Sequence, residues 1–310
     1  MPVTFSRRAA LSMGAALPLA APALLTATSA RADGHAKADP GLAKFRRAQL
    51  GDFEVTTLLA GTRTVEGPQG IFGMNVDEAT FAEVSEANFL PIDAAQFFFT
   101  PTVVNTGSEV ILFDTGLSPD SITGALGAAG YAPSDITHVV ITHMHGDHIG
   151  GLMGDASETF EGAAYITGAA EHNHWSGADS DSFKGKVAPL NDKFTFIDDG
   201  AAIASGVTAM AAFGHTPGHM TYMLESGGKQ LMLIADMANH YVWSLGYPDW
   251  EVRFDMDKAA AAATRRRVLG MLAADRIPMV GYHMPWPGMG YVTTRDDGFE
   301  YVPISYQMML

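Results

Sequence analysis

His143-Met144-His145-Gly146-Asp147-His148, closed by Gly150-Gly151, is the stretch that decides the fold. It puts four metal-binding side chains within six residues. Imidazole and carboxylate together form the ligand set of zinc and its first-row neighbours. Packing explains such a run poorly, because each core histidine would need a hydrogen-bond partner and Asp147 would be a buried charge. The preceding His138-Val139-Val140-Ile141-Thr142 is β-branched and apolar, which predicts a buried strand. The donors are therefore expected on the loop leaving that strand's C-terminal end, where α/β sheets build their sites. Gly150-Gly151 reads as the pair that lets the backbone turn tightly there.

Four donors in one loop predict two metals rather than one. His143 and His145 can converge on one ion from an extended turn, while Asp147 and His148 point elsewhere and begin a second site. Ions about 3.5–4 Å apart would share a bridging water or hydroxide. The rest of the chain offers the missing donors. Gly214-His215-Thr216-Pro217-Gly218-His219 has a histidine in a Gly/Pro turn; Leu231-Met232-Leu233-Ile234-Ala235-Asp236 is an apolar strand ending in a carboxylate; Val280-Gly281-Tyr282-His283 is another strand-end histidine.

With these residues in hand, the chain resembles the metallo-β-lactamase fold superfamily, whose HxHxDH motif matches His143, His145, Asp147 and His148. The resemblance implies an α+β fold, an αββα sandwich with the metals at the rim between two sheets. It also implies that His143, His145 and His215 hold one metal, that Asp147, His148 and His283 hold the second, and that Asp236 bridges both. Zinc suits this set best, with manganese, iron or cobalt as alternatives. The implied chemistry is attack by a metal-activated hydroxide, with Asp147 and Asp236 as the candidate catalytic carboxylates and no Ser or Cys nucleophile. Asp114-Thr115-Gly116 is also typical of the superfamily, and Asp114 is expected to steady the site rather than bind metal.

The segment Gly281-Tyr282-His283-Met284-Pro285-Trp286-Pro287-Gly288-Met289-Gly290-Tyr291-Val292 narrows the resemblance to methyl parathion hydrolase and its lactonase and arylesterase relatives. Trp250-Glu251-Val252-Arg253-Phe254-Asp255 resembles the same group. It implies a hydrolase of esters, lactones or organophosphate triesters, and related enzymes imply a homodimer. Acyl-homoserine lactone lactonase is the alternative. Many of those enzymes carry a Tyr three residues after the bridging Asp, where this chain has Asn239, with Tyr241 two further on. Two readings from other classes are a mononuclear iron dioxygenase of the same fold and a non-catalytic periplasmic metal-binding protein. Glyoxalase II and flavodiiron oxidoreductases fit less well: no added helical glutathione region follows the last donor, and His145 stands where the latter carry Glu.

Composition agrees with a small-molecule enzyme. The 310 residues are 47% hydrophobic and carry a net charge of −15, which opposes a nucleic-acid partner and ribonuclease Z. Removing residues 1–32 deletes Arg7, Arg8 and Arg31 and no acid, taking −15 to −18. No Cys is present, which excludes disulfides, thiolate ligands and those superfamily members that use Cys at the second metal.

Ser6-Arg7-Arg8-Ala9-Ala10-Leu11 is a twin-arginine pattern, followed by an apolar run to Thr26 and a small-x-small site at Ala30-Arg31-Ala32. Residues 1–32 are therefore expected to be a twin-arginine signal peptide, with Asp33 opening a single catalytic domain over 33–310 that is periplasmic or secreted. Pro18 and Pro22 interrupt the apolar run, and no later stretch is long enough for a span, so no stable membrane insertion is expected.

Further along, strands are expected over 53–60, 102–105, 110–113, 207–212, 220–225 and 230–234, and helices over 78–88, 119–129 and 257–274, the last with Val268, Leu269 and Leu272 inward. Residues 33–40 read as polar and loose. His138 is expected to be a satisfied core histidine, His219 to brace its turn, and His172 and His174 to lie on a solvated helix face. Trp175 and Phe183 are candidate walls of the substrate pocket. Phe97-Phe98-Phe99 is a buried strand or a pocket lip.

Overall fold

A computed structural model describes residues 41–155 and 157–305; the expected signal peptide and the polar stretch over 33–40 lie outside the described residues. In chain order the strands and helices begin with β1 (Phe45–Leu50), β2 (Phe53–Leu58), β3 (Gly61–Glu66), α1 (Glu78–Ala87), β4 (Ala94–Phe99), β5 (Thr102–Asn105) and β6 (Val110–Phe113). Then come α2 (Pro119–Ala128), β7 (His138–Ile141), α3 (Gly146–Ile149), β8 (Ala164–Gly168), α4 (Ala169–Gly177), α5 (Asp181–Lys186) and β9 (Phe194–Ile197). The second half holds β10 (Ala202–Ala204), β11 (Val207–Ala211), β12 (Met220–Ser226), β13 (Lys229–Ala235), α6 (Lys258–Asp275), β14 (Met279–Gly281), β15 (Met289–Arg295) and β16 (Gly298–Pro303).

Seven strands form one sheet in the order β1-β2-β5-β6-β7-β8-β9, and seven more form a second, in sequence order from β10 to β16. The first sheet turns parallel at β6–β7–β8–β9. The second is antiparallel except where β13 pairs β14. Apolar side chains of both inner faces fill the space between the sheets, with Val104, Ile111, Phe113 and Val140 meeting Tyr222, Leu224, Leu233 and Val280.

Each outer face is covered by helix. Ile122, Ala125 and Leu126 of α2 pack on Leu112 and Val139 of the first sheet. Val268, Leu269 and Leu272 of α6 pack on Met232 and Ile234 of the second. This is the expected αββα sandwich, because each sheet has two apolar faces to bury and only helices can cover the outer ones. Ser118 caps α2 by accepting from Ser121 N, with Pro119 in the first turn, and Asp257 caps α6 by accepting from Ala260 N.

The hairpin β3–β4 stands apart as its own two-stranded sheet. It packs with α1 and the loop holding Trp243 and Trp250 in a fourth apolar cluster. Phe97 and Phe99 are both buried there, so Phe97-Phe98-Phe99 is at once a strand and a lip. Among the described residues no helix is long and apolar enough to cross a membrane.

One expectation about glycine is corrected. Gly150 has an ordinary right-handed φ of −59°. Both glycines are needed for close approach instead: a Cβ on Gly150 would lie 2.3 Å from Leu117 O, and one on Gly151 would lie 2.2 Å from Thr115 O. The donor loop is thereby pressed against the end of β6.

Candidate metal centre

The donors sit at one end of both sheets. β7 ends at Ile141, His143 follows it, and His145 precedes the single helical turn α3, which carries Asp147 and His148. The sequence predicts a loop here, because the four residues of α3 are too few for a periodic signal. His215 follows β11, Asp236 follows β13 and His283 follows β14. All seven expected donors come together. Three donor groups have ligand atoms mutually within 4.8 Å: His143, His145 and His215; His143, His148 and Asp236; and Asp147, His148 and His283. The first and third match the two sets inferred from the resemblance.

Distances inside the cluster are those of lone pairs aimed at common points. His145 Nδ1 lies 3.1 Å from His143 Nε2 and 3.0 Å from His215 Nε2. Asp236 faces both sides: its Oδ2 is 3.4 Å from His215 Nε2 and 3.2 Å from His283 Nε2, and its Oδ1 is 3.4 Å from His148 Nε2. Asp147 Oδ2 is 3.3 Å from His283 Nε2.

Most of the outer ring nitrogens are occupied, which fixes the tautomers. His148 Nδ1 donates to Asp114 Oδ2 at 2.8 Å, and Asp114 also accepts from Thr142 N and Thr142 Oγ1. His215 Nδ1 donates to Asp255 Oδ1 at 2.9 Å, and Arg265 Nη1 donates to the other Asp255 oxygen at 2.7 Å. His283 Nδ1 donates to the Phe98 carbonyl at 2.8 Å. Thr142 Oγ1 lies 3.1 Å from His143 Nδ1. Carboxylates or carbonyls behind ligating imidazoles orient the ring and raise its basicity.

Two observations show that a cation suits this donor set. His148 Nε2 and Asp236 Oδ1 are buried without a hydrogen-bond partner. Leaving such groups unsatisfied costs about 1–3 kcal/mol each, a cost that coordination would offset. The donors also split electrostatically. Burial pushes His145 down to about 3, and the neighbouring His215 adds to it. Burial likewise acts to lower His283, but Asp236 and Asp147 outweigh it and lift the ring to about 10. Burial also opposes charge on His148, yet Asp236, Asp114 and Asp147 hold it well above its ordinary value. His145 is thus biased toward a neutral lone pair, while His148 and His283 are biased toward holding a proton where a cation would sit.

Above the donors opens a cavity of about 380 Å³. Asp147, Asp236, His145 and His283 form its floor, and Val65, Ile71, Phe97, Phe99, Leu117 and Phe254 line its walls, with Arg63 among the lining residues. The two expected wall residues are elsewhere. Phe183 is buried in the core cluster between the first sheet and its helices. Trp175 stands edge-on to His145, ring centroids 5.8 Å apart, with its indole N–H given to Glu171. The β3–β4 hairpin supplies much of the wall in their place: Phe97 and Phe99 of β4 come from the expected strand or lip, while Val65 of β3 had no local signal.

His219 behaves as expected, whereas His138 is corrected from a core position to a half-buried one. His219 Nε2 accepts from Asp236 N at 3.1 Å, bracing that loop. His138 lies 2.9 Å from Thr137 Oγ1, half-buried rather than fully enclosed. His172 Nε2 lies 3.0 Å from Asn191 Oδ1. Neither His172 nor His174 belongs to a donor group among the described residues. Their neighbour Glu171, which carries no sequence signal of its own, is fully buried. Asp255 and Arg265 were also missed as supports; a lone arginine at 1% exposure inside an Ala/Arg-rich helix has no sequence signature beyond its phase with Leu269 and Leu272.

The metallo-beta-lactamase superfamily model matches residues 100–279, a stretch that holds every donor except His283, just beyond it. The chain belongs to the metallo-beta-lactamase superfamily. Fold, donor set and relatives together define its class, a metal-dependent hydrolase. Among curated relatives, an N-acyl homoserine lactonase from a Bacillus species is 27% identical over 107 residues, 34% of this chain and 40% of that protein. An atrochrysone carboxyl ACP thioesterase from a Cryptosporiopsis species is 31% identical over 139 residues, 43% of this chain and 36% of that protein. These matches span less than half the length of either relative. Among solved structures, AidC, a dizinc quorum-quenching lactonase in complex with the product N-hexanoyl-L-homoserine, is 27% identical with a TM-score of 0.77, covering 84% of this chain and 98% of its own. The hydrolase AbOPH of the beta lactamase superfamily, 24% identical with a TM-score of 0.78 and 86% and 99% coverage, shares the fold.

Proposed function

We propose that this chain is a dinuclear metallohydrolase of esters, lactones or organophosphate triesters, similar to methyl parathion hydrolase. The observation that carries the reading is Asp236, whose two oxygens face His215 on one side and His148 on the other, with His283 also within reach. His143, His145 and His215 would hold one divalent cation, Asp147, His148 and His283 the other, with Asp236 between them and zinc as the best-suited ion. When bound, two such cations supply a hydroxide at neutral pH and an electrophile for the substrate's carbonyl or phosphoryl oxygen.

The chain's own residues do the rest. Asp114, Asp255 and the Phe98 carbonyl hold the rings of His148, His215 and His283 so that each Nε2 points inward. The apolar wall around Phe97, Phe99 and Phe254 favours an acyl or aryl group and excludes bulk water from the floor. Asp147 and Asp236 both line the cavity, so a substrate seated there meets the two carboxylates.

A lactone substrate is the second reading, supported by the likeness to AidC and the Bacillus lactonase. Asn239, in the position where many acyl-homoserine lactonases carry Tyr, is buried with its amide unpartnered. Tyr241 instead lines a neighbouring cavity of about 250 Å³ that shares His283. We further propose export by the twin-arginine pattern at Ser6-Arg7-Arg8, periplasmic or secreted residence, and assembly as a homodimer.

A panel of p-nitrophenyl esters, γ-lactones, acyl-homoserine lactones and methyl parathion tests the substrate reading. Turnover of at least one class by zinc- or manganese-loaded protein is expected. No turnover of any would favour a non-catalytic metal-binding role, and a single iron per chain would favour a dioxygenase.

A further inference from the structure

Glu171, on α4, is fully buried, and its four hydrogen-bond partners are all neutral groups. Its Oε1 accepts from Met144 N at 2.8 Å and from Trp175 Nε1 at 2.7 Å. Its Oε2 accepts from Thr216 Oγ1 at 2.7 Å and from Gly218 N at 2.9 Å. Two backbone N–H groups and an indole can only donate, so the carboxylate serves as an acceptor. Met144 lies between His143 and His145, and Thr216 and Gly218 follow His215. One side chain therefore ties together the two segments that carry the first donor group.

The fit is tight. A Cβ on Gly218 would lie 2.0 Å from Glu171 N, so only glycine lets the His215 turn seat against the start of α4. Burying a carboxylate without a cationic partner is expensive even when its oxygens are hydrogen-bonded. A divalent cation held by His143, His145 and His215, on the two segments Glu171 joins, would relieve that cost, and the buried charge would favour the cation in return.

We propose that Glu171 is a positioning residue that presets the spacing of His143, His145 and His215 and strengthens that group's hold on a divalent cation. The proposal rests on the metal-centre reading above. Glu171→Gln keeps the shape, removes the charge and turns an amide N–H₂ toward donors. Ser85→Ala is the control: Ser85 is equally buried and accepts from the Trp243 indole at 3.0 Å, within the cluster around β3–β4.

Zinc affinity is measured by competition with a chromogenic chelator, alongside the absorption spectrum of cobalt-loaded protein and the thermal midpoint of the metal-free protein. E171Q is expected to lose about tenfold in affinity at one of two sites, the lower end of the range for partners that contact a ligand directly, since Glu171 holds the flanking backbone instead, and to shift the cobalt spectrum. Trp175→Phe, which removes one donor, should move both readouts less and in the same direction. S85A should lower the thermal midpoint and leave affinity and spectrum alone. Wild-type zinc affinity and an unchanged cobalt spectrum in E171Q would overturn the proposal. If E171Q does not fold, wild-type values for both readouts in W175F overturn it equally. A wild-type protein that takes up no metal would instead overturn the metal-centre reading.

Discussion

Asp255 joins His215 to Arg265: one carboxylate oxygen lies 2.9 Å from His215 Nδ1 and the other 2.7 Å from Arg265 Nη1. The arginine is buried at 1% exposure and also donates to the carbonyls of Pro248 and Trp250. A donor histidine is thereby anchored to α6 on the far side of the second sheet.

Arg265→Met should therefore do two things. It leaves a buried carboxylate with His215 alone and no arginine, a loss of the kind that typically costs about 3–5 kcal/mol, and it loosens the ring of His215. Urea unfolding measures the first effect and chelator competition the second. A stability change under about 1 kcal/mol would contradict the role given to this pair, since breaking buried ion pairs rarely costs so little.

The electrostatic split predicts proton release on metal uptake. At pH 7.5 the metal-free protein holds a proton on His283, whose ring is lifted to about 10, and on His148, which is raised as well. A cation must displace both. Calorimetry of zinc binding in buffers of different ionisation heat should show net release of protons, His283 supplying at least one. A buffer-independent heat would contradict it.

The same shifts set the stability of the metal-free protein against pH. His283 has a folded value near 10 against an ordinary 6.5, so its stabilising contribution is full below 6.5 and is lost as pH rises through 10. His145 has a folded value near 3, so its contribution is full above 6.5 and is lost as pH falls through 3. Thermal midpoints of chelator-treated protein should decline on both sides of neutrality. A midpoint that climbs steadily from pH 7 to pH 10 would contradict the assignment of His283.

The cavity wall predicts a selective loss. Phe254 lines the cavity while 42% exposed, so Phe254→Ala should cost little stability. Removing a wall residue is worth about 1–3 kcal/mol for the group it touches. Aryl substrates should therefore lose roughly tenfold or more in kcat/KM relative to methyl esters. Equal loss for both would place Phe254 outside the binding surface.

How far the sequence reveals this molecule depends on how local each signal is. His143 to His148 is dense enough to read alone, and β13 reads because its apolar run ends in Asp236. The helix α6 reads from the phase of Val268, Leu269 and Leu272. Glu171 and Asp255 do not read, because what makes each important is a partner 27 to 47 positions away in sequence: Met144 and Gly218 for Glu171, His215 for Asp255. Phe183 misleads for the same reason: nothing near an aromatic residue says whether it faces a cavity or the core. In the β3–β4 hairpin, Phe97-Phe98-Phe99 of β4 reads as a strand or lip, but β3 escapes because it shows no apolar alternation, with only Val65 contributing to its cluster.

The central claim is that Asp236 is shared by two cations. Metal analysis of freshly purified wild type and Asp236→Ala, read with hydrolysis of a substrate the wild type turns over, tests it most directly. Two divalent ions per chain in the wild type are predicted, with both metal content and hydrolysis falling sharply in D236A. Unchanged metal content and turnover in D236A, or a wild-type protein that contains no metal and accepts none on reconstitution, would contradict it.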